Sequence, residues 1–151
     1  MAESNTALAR RWFEEVWNQR RDDTVRELLH AEGVGHLEGM DVRGPEEFLA
    51  ARAALLAAFS GMRVTVDATV ADGEDVVTRW SARGTHDGDG LGIPASQRPV
   101  TFEGITWMRV RDGRIVEGWD RWNLGSLLET LRAPVLAAGG RNAGASSRRS
   151  A

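Results

Sequence analysis

The chain has no cysteine, no tyrosine and no lysine; all nineteen of its basic residues are arginine. Without cysteine there is no disulfide, no thiol nucleophile and no zinc–thiolate site. Without tyrosine no phenol can donate to an oxyanion, and without lysine Schiff-base chemistry and a Walker lysine are both excluded. No apolar run approaches the ~18 residues of a membrane span. The opening Met1-Ala2-Glu3-Ser4-Asn5 lacks the basic and apolar regions of a secretory leader, so a cytoplasmic setting is expected. A net charge of −3 gives no electrostatic reason for a nucleic-acid partner. Neither a serine nucleophile elbow nor a His-Glu-x-x-His zinc helix occurs. The glycines between residues 84 and 92 have neither the spacing nor the following helix of a phosphate loop.

What remains for moving protons is a set of aspartates and glutamates and three histidines, His30, His36 and His86. Hydrophobic residues make up 42% and charged residues 27% of 151 residues. That is the balance of one soluble globular domain, large enough to bury a core without staples. Six tryptophans in so short a chain ask for a place to sit. The domain is expected over residues 1–134. Residues 135–151, small, polar and without period, read as a disordered tail.

Leu8, Trp12, Phe13, Val16 and Trp17 recur at helical spacing, with Asn5 or Thr6 placed to cap them. Asp22-Asp23 open a second, short helix. Gly44-Pro45-Glu46-Glu47 open a third, with proline in the first turn and acids at the positive end of the helix dipole. A short strand is expected near Val34–Glu38. Beyond Gly61 the period changes to two. Strands are expected at 62–71, 76–85, 100–110 and 115–122, with turns at Asp72-Gly73 and Asp112-Gly113, a long loop at 87–98 and a closing helix near 124–131. Helices first and an antiparallel meander last argue an α+β fold: helices packed on one face of a curved, mostly antiparallel sheet. Such a sheet curled around a helix leaves a cone with one open mouth, a natural pocket.

Alternation in the last strand puts Val116, Gly118, Asp120 and Trp122 on one face. If that face lines the cone, desolvation raises the Asp120 pKa and makes it a usable general acid or base; otherwise it is a strand-end aspartate paired on the surface. Arg79 stands in an apolar context, and a buried arginine needs an anion, for which Asp120 is the candidate. Its other reading is an outward arginine on a solvated or dimer-forming face. His36 and Glu38 share a face of the short strand and could bring a second polar group to the cavity. Ser81 lies beside Arg79, and His86 either marks the cavity mouth or fixes the following loop. Trp12, Trp107 and Trp122 are candidates to line a cavity for a flat apolar molecule. No metal site is expected.

Gly84-Thr85-His86, Leu91-Gly92-Ile93-Pro94, Arg98-Pro99-Val100-Thr101-Phe102, Gly104-Ile105 and Asp112-Gly113-Arg114-Ile115-Val116-Glu117 with Trp119-Asp120 form a pattern that resembles the SnoaL-like polyketide cyclases of the nuclear-transport-factor-two-like superfamily. The likeness spans about residues 6–132. It implies a cone-shaped α+β barrel, a homodimer formed through the sheet, and a cavity that works without cofactor on a small hydrophobic substrate. In cyclases of this family an aspartate moves a proton beside carbonyls for aldol ring closure, and Asp120 stands at that position. Epoxide-opening relatives carry an Arg-x-Asp. Here Arg79-Trp80-Ser81 keeps the arginine and replaces the acid by Ser81, which argues against water activation by a carboxylate pair. Ketosteroid-isomerase relatives use a tyrosine that this chain lacks. The expected function is therefore a cyclase or isomerase of natural-product biosynthesis, with Asp120, Arg79 and His36 as catalytic candidates and Trp12, Trp107, Trp122, Ser81, His86 and Glu38 as binding ones. A pericyclase or epoxide-opening cyclase, and a non-catalytic module for hydrophobic ligands, are the alternatives.

Overall fold

Ser4 starts the first helix: its hydroxyl accepts the Ala7 N–H at 3.1 Å, one residue ahead of the expected caps. The computed structural model that carries this cap describes residues 3–134, so the segment expected as a tail, 135–151, lies outside the described residues. Helix α1 (Asn5–Arg11) runs directly into a π-helical segment, Trp12–Asn18. Rings closed from i to i+5 bring residues five apart toward the same side. Trp12 and Trp17 accordingly both reach Phe48, with ring centroids 5.0 and 6.0 Å away. Helix α2 (Asp22–Leu28) and helix α3 (Gly44–Ala58) follow, the latter with proline in its first turn and Glu46 and Glu47 beside it. Helix α4 (Leu124–Arg132) closes the described chain.

Among the described residues six strands form one open sheet: β1 (Leu29–Leu37), β2 (Met40–Arg43), β3 (Arg63–Asp72), β4 (Asp75–Thr85), β5 (Pro99–Arg111) and β6 (Arg114–Trp122). Their order is β2-β1-β6-β5-β4-β3. All neighbours are antiparallel except β1 and β6, which run parallel. The fold is α+β; among the described residues four helices pack on the six-stranded sheet, and β2 and β3 remain as edges, so the sheet curls without closing into a barrel. Register shifts at Val66/Ala68 and Arg109/Val110 supply bends of the kind that coil a sheet. Among the described residues no helix is long and apolar enough to cross a membrane.

The helices are held over the sheet by polar clasps as well as by apolar packing. Asn18 treats the Val64 backbone as a strand neighbour would, accepting its N–H at 2.7 Å and donating to its carbonyl at 2.8 Å. Arg52 on α3, only 7% exposed, donates to the Val16 carbonyl at 3.0 Å and pairs with Asp22 at the start of α2. That guanidinium joins three helical segments, and its burial is tolerable because an anion meets it.

The 86–98 loop is strapped to the end of α3. Asp87 accepts from the Ser60 N–H at 3.0 Å and from its hydroxyl, and the Gly88 N–H donates to the Ala58 carbonyl at 3.2 Å. Gly88 lies so close to α3 that a Cβ would stand 1.8 Å from the Ala57 carbonyl oxygen. Gly88→Ala should therefore lift the loop and lower stability by about 1–3 kcal/mol, the usual cost of overpacking, read as a fall in the urea midpoint.

Candidate active site

Strand parity decides what faces the helices. In β4 the inward set is Val76, Thr78, Trp80 and Ala82; in β5 it is Val100, Phe102, Met108 and Val110, with Thr106 as the one buried hydroxyl among them. In β6 Gly118, Asp120 and Trp122 face the same hollow. Of these, Trp80, Phe102, Thr106, Met108, Gly118, Asp120 and Trp122, with Trp12, Phe13, Trp17 and Phe48 opposite, enclose a cavity of about 550 Å³ that opens beside α3 and the β1–β2 turn, where Met40, Glu47 and Ala50 are exposed. The size falls within the usual range for ligand sites.

One polar chain crosses this apolar surface. Thr106 and Asp120 are cross-strand partners, and the threonine hydroxyl donates to Asp120 Oδ1 at 2.5 Å. Trp80, opposite Gly104 and diagonal to Thr106, donates its indole N–H to Thr106 Oγ1 at 2.9 Å. Gly104 makes the approach possible: a Cβ there would lie 2.5 Å from Trp122 Cβ and 2.7 Å from the Trp80 ring. Burial pushes the Asp120 carboxyl up to about 6. The Thr106 hydrogen bond and the Arg121 charge pull it down, and the neighbouring Glu38 carboxylate raises it. Asp120 keeps some exposed surface, and that surface faces the cavity. Glu38 also lines the cavity, held by its acceptance of the Trp122 N–H at 3.0 Å just past the last β1 residue. The remaining charged groups on the wall are Glu47 and Arg52, the latter already paired with Asp22.

Of the expected site residues, Asp120, Glu38, Trp12 and Trp122 come together around the cavity. Five do not. Arg79 is exposed on the opposite face of the sheet, because Trp80 takes the inward position and parity sends its neighbours out; it is not the partner of Asp120. Ser81 goes out with it and donates to Asp67 at 3.3 Å. Trp107 is 46% exposed on the outer face of β5, edge-on to Trp119 at 6.3 Å. His36 is also outside, because Gly35 and Leu37 take the cavity side. It hydrogen-bonds Glu117 at 2.8 Å and Asp41 at 3.0 Å, stacks on Trp119, and those carboxylates hold its pKa above the usual value. Glu38 parts from it because β1 ends at Leu37 and Glu38 belongs to the turn. His86 is fully buried away from the cavity lining, its Nδ1 on Ser96 and its ring against Phe59, where it fixes the loop. Sequence reasoning passed over Trp80 and Thr106. The signal for the second was present, a lone hydroxyl in the inward row of β5.

The SnoaL-like polyketide cyclase family profile matches residues 7–131. Aklanonic acid methyl ester cyclase DnrD of Streptomyces peucetius is 35% identical over 112 residues, covering 72% of this chain and 77% of that protein. The crystal structure of wild-type IdmH from Streptomyces antibioticus superposes with a TM-score of 0.76 at 31% identity, over 87% of this chain and all of that one. A SnoaL-like protein from Jannaschia Sp. CCS1 gives a TM-score of 0.80 at 25% identity, over 89% and 99%.

A carboxyl whose folded pKa lies above its unfolded one contributes stability that is complete below the unfolded value and is lost as pH rises through the folded value. For Asp120 that window runs from about 4 up to about 6 and beyond. Asp120→Asn keeps the acceptor for Thr106 and removes the charge. It should raise stability by about 2 kcal/mol at pH 8, after allowing for screening by cavity water, and by close to nothing below pH 4. Thermal melts of both proteins across that range check it.

Proposed function

The chain belongs to the SnoaL-like polyketide cyclase family, and from that premise we propose that it closes a ring in a neutral, carbonyl-rich polyketide, with Asp120 as the acid and base. The observation that carries this reading is a buried carboxyl, lifted to about 6, that opens deep inside a largely apolar cavity. At neutral pH such a group is mostly ionised yet holds a proton well enough to return it, the condition for efficient acid–base work near pH 7.

In the proposed cycle the Asp120 carboxylate takes the proton from a carbon between two carbonyls. The electron pair left on that carbon attacks a further carbonyl elsewhere in the same molecule, forming the ring bond as the carbonyl π pair moves onto its oxygen. The alkoxide so produced takes back the proton from the Asp120 carboxylic acid. Nothing is gained or lost, so the overall change is an isomerisation. The cavity's part is to fold the chain and exclude water, and positioning is the larger share of the rate; the acid–base contribution is about 10²–10⁴-fold.

Charge bears on the substrate. Glu38, Glu47 and Asp120 face the cavity, and among the described residues the one cation on its wall, Arg52, is already matched by Asp22. A free carboxylate would enter against like charge with no guanidinium to receive it. A substrate whose acid is masked as an ester fits, in keeping with the methyl ester in the name of the Streptomyces peucetius relative.

The partner we propose for the outer sheet face is a second copy of the chain. Ile105 and Trp107 are 49% and 46% exposed there. Trp119 packs beside Trp107, and the Arg109 guanidinium stands 5.4 Å over its ring. Aromatic and arginine side chains gathered on one exposed face are the composition of an interface.

Two experiments follow. Ethyl benzoylacetate, a neutral aryl β-keto ester, should exchange the hydrogens between its carbonyls with deuterated solvent faster in the presence of the protein. Asp120→Asn should cut that acceleration at least about 100-fold with the near-ultraviolet circular dichroism unchanged; full acceleration in the variant would remove Asp120 from the chemistry. Sedimentation velocity should find a dimer for the native chain and a monomer for Trp107→Asp, and a monomeric native chain would end the assignment of the sheet face.

A further inference from the structure

An acid that acts on carbon needs one oxygen free and correctly aimed, and the wall of the cavity contains a device for that. An indole N–H can only donate. Because Trp80 Nε1 donates to Thr106 Oγ1, that hydroxyl is already an acceptor, and its single proton is directed across the strands to Asp120 Oδ1. Reversing the second bond would require a carboxylic proton on Oδ1 to point at Thr106 and the threonine proton to find another acceptor. Among the described residues the only polar partners of the Thr106 side chain are Trp80 and Asp120. The chain therefore runs one way, from indole to hydroxyl to carboxylate. Asp120 Oδ2, which has no hydrogen-bond partner among the described residues, is left on the cavity side.

We propose that Trp80 and Thr106 are positioning residues of the catalytic site: their one-way hydrogen-bond chain locks Asp120 Oδ1 as an acceptor and reserves Oδ2 for the substrate's proton. This rests on the reading of Asp120 as acid and base, and adds how its orientation and ionisation are set. The hydroxyl has a second effect. It favours the charged carboxylate and so opposes the burial that favours the neutral acid. Among the described residues the charged groups that act on Asp120 or share its cavity are Glu38 from the turn after β1, Arg121 beside it on β6 and turned outward, and Glu47 and Arg52 from α3. All stay in place in the variants considered, so a change in Asp120 would report the chain alone.

A natural control lies one strand away. Thr78 is the cross-strand partner of Thr106 on β4, faces the same side and is fully buried, but its hydroxyl has no hydrogen-bond partner. It resembles Thr106 in chemistry, burial and row, and differs in standing outside the chain to Asp120.

The test is the titration of Asp120 in the full-length protein, followed through the ¹³C shift of its carboxyl carbon, which needs no substrate. The Asp120→Asn spectrum assigns the signal. In Thr106→Val, close in shape but unable to donate, the Asp120 midpoint should rise by about one pH unit, a tenfold change in proton affinity. Thr106→Ser should restore it to within a few tenths, Trp80→Phe should raise it by a smaller amount, and Thr78→Val should leave it in place. The rising limb of the pH–rate profile for deuterium exchange should move upward in Thr106→Val by the same interval. A Thr106→Val midpoint equal to that of the native chain, or an equal rise in Thr78→Val, would overturn the proposal. These outcomes are separate from the fate of the functional reading: an active Asp120→Asn protein would remove the catalytic role while the carboxyl titrations stood, and an unmoved Thr106→Val midpoint would remove the chain while Asp120 kept its role.

Discussion

A carboxylate is kept in a hollow walled almost wholly by indole, phenyl and aliphatic groups, and the cost of keeping it there governs much of the architecture. Transferred alone into such surroundings the charge would be neutralised by taking up a proton. Here the shift stops at about 6, because the hydrogen bond from Thr106 and, less strongly, the Arg121 charge stabilise the anion. The balance depends on two strands presenting Thr106 and Asp120 at the same height and on a glycine at position 104 that lets Trp80 and Trp122 close over the row. The site is thus a property of sheet register before it is a property of any one residue.

An open cavity is itself a structural problem, since apolar walls gain by collapsing onto each other. The helices are tied to one another and to the sheet by polar contacts. Arg52 ties α3 to the π-helical segment and to α2, and Asn18 ties the end of that segment to β3. The π-helical turn contributes directly. By bringing Trp12 and Trp17 onto one side it sets two large rings against Phe48, so that aromatic bulk braces the roof. A row of alanines on α3, Ala50, Ala51 and Ala54, leaves the space beneath.

The α+β order and the strands β3 to β6 could be read from period alone, because these strands are long enough for alternation to repeat four or five times; period also grouped Asp120 with Gly118 and Trp122 on one face, but left open whether that face turns inward. Short elements could not be read. β2 has four residues and leaves no repeat to detect, and His36 and Glu38 are separated by a strand end that alternation does not mark. Arg79 misled for a different reason. Valines at 76 and 77 put apolar residues on both faces of β4, so parity had to be decided by Trp80, whose ring buries far more surface than its neighbours. The π-helical turn was also beyond the sequence. A ring of one residue more is chosen by what Trp17 packs against, which is a tertiary fact.

Because the same strand alternation serves both faces, the inner row and the outer aromatic face are coupled by geometry. Asp120 faces in while Trp119 and Arg121 face out; Thr106 faces in while Ile105 and Trp107 face out. A one-residue slip of β5 against β6 would exchange the two sets at once, taking the acid into water and the exposed rings into the cavity. The outer cluster around Trp119, with Trp107 edge-on, His36 stacked and Arg109 above, grips β1, β5 and β6 from outside and holds the register that the inner row requires. Glu117 is central to that grip, accepting from His36 at 2.8 Å and lying 3.8 Å from Arg109. The outer face therefore supports the inner row whether or not another chain covers it, through the register it imposes on Thr106 and Asp120.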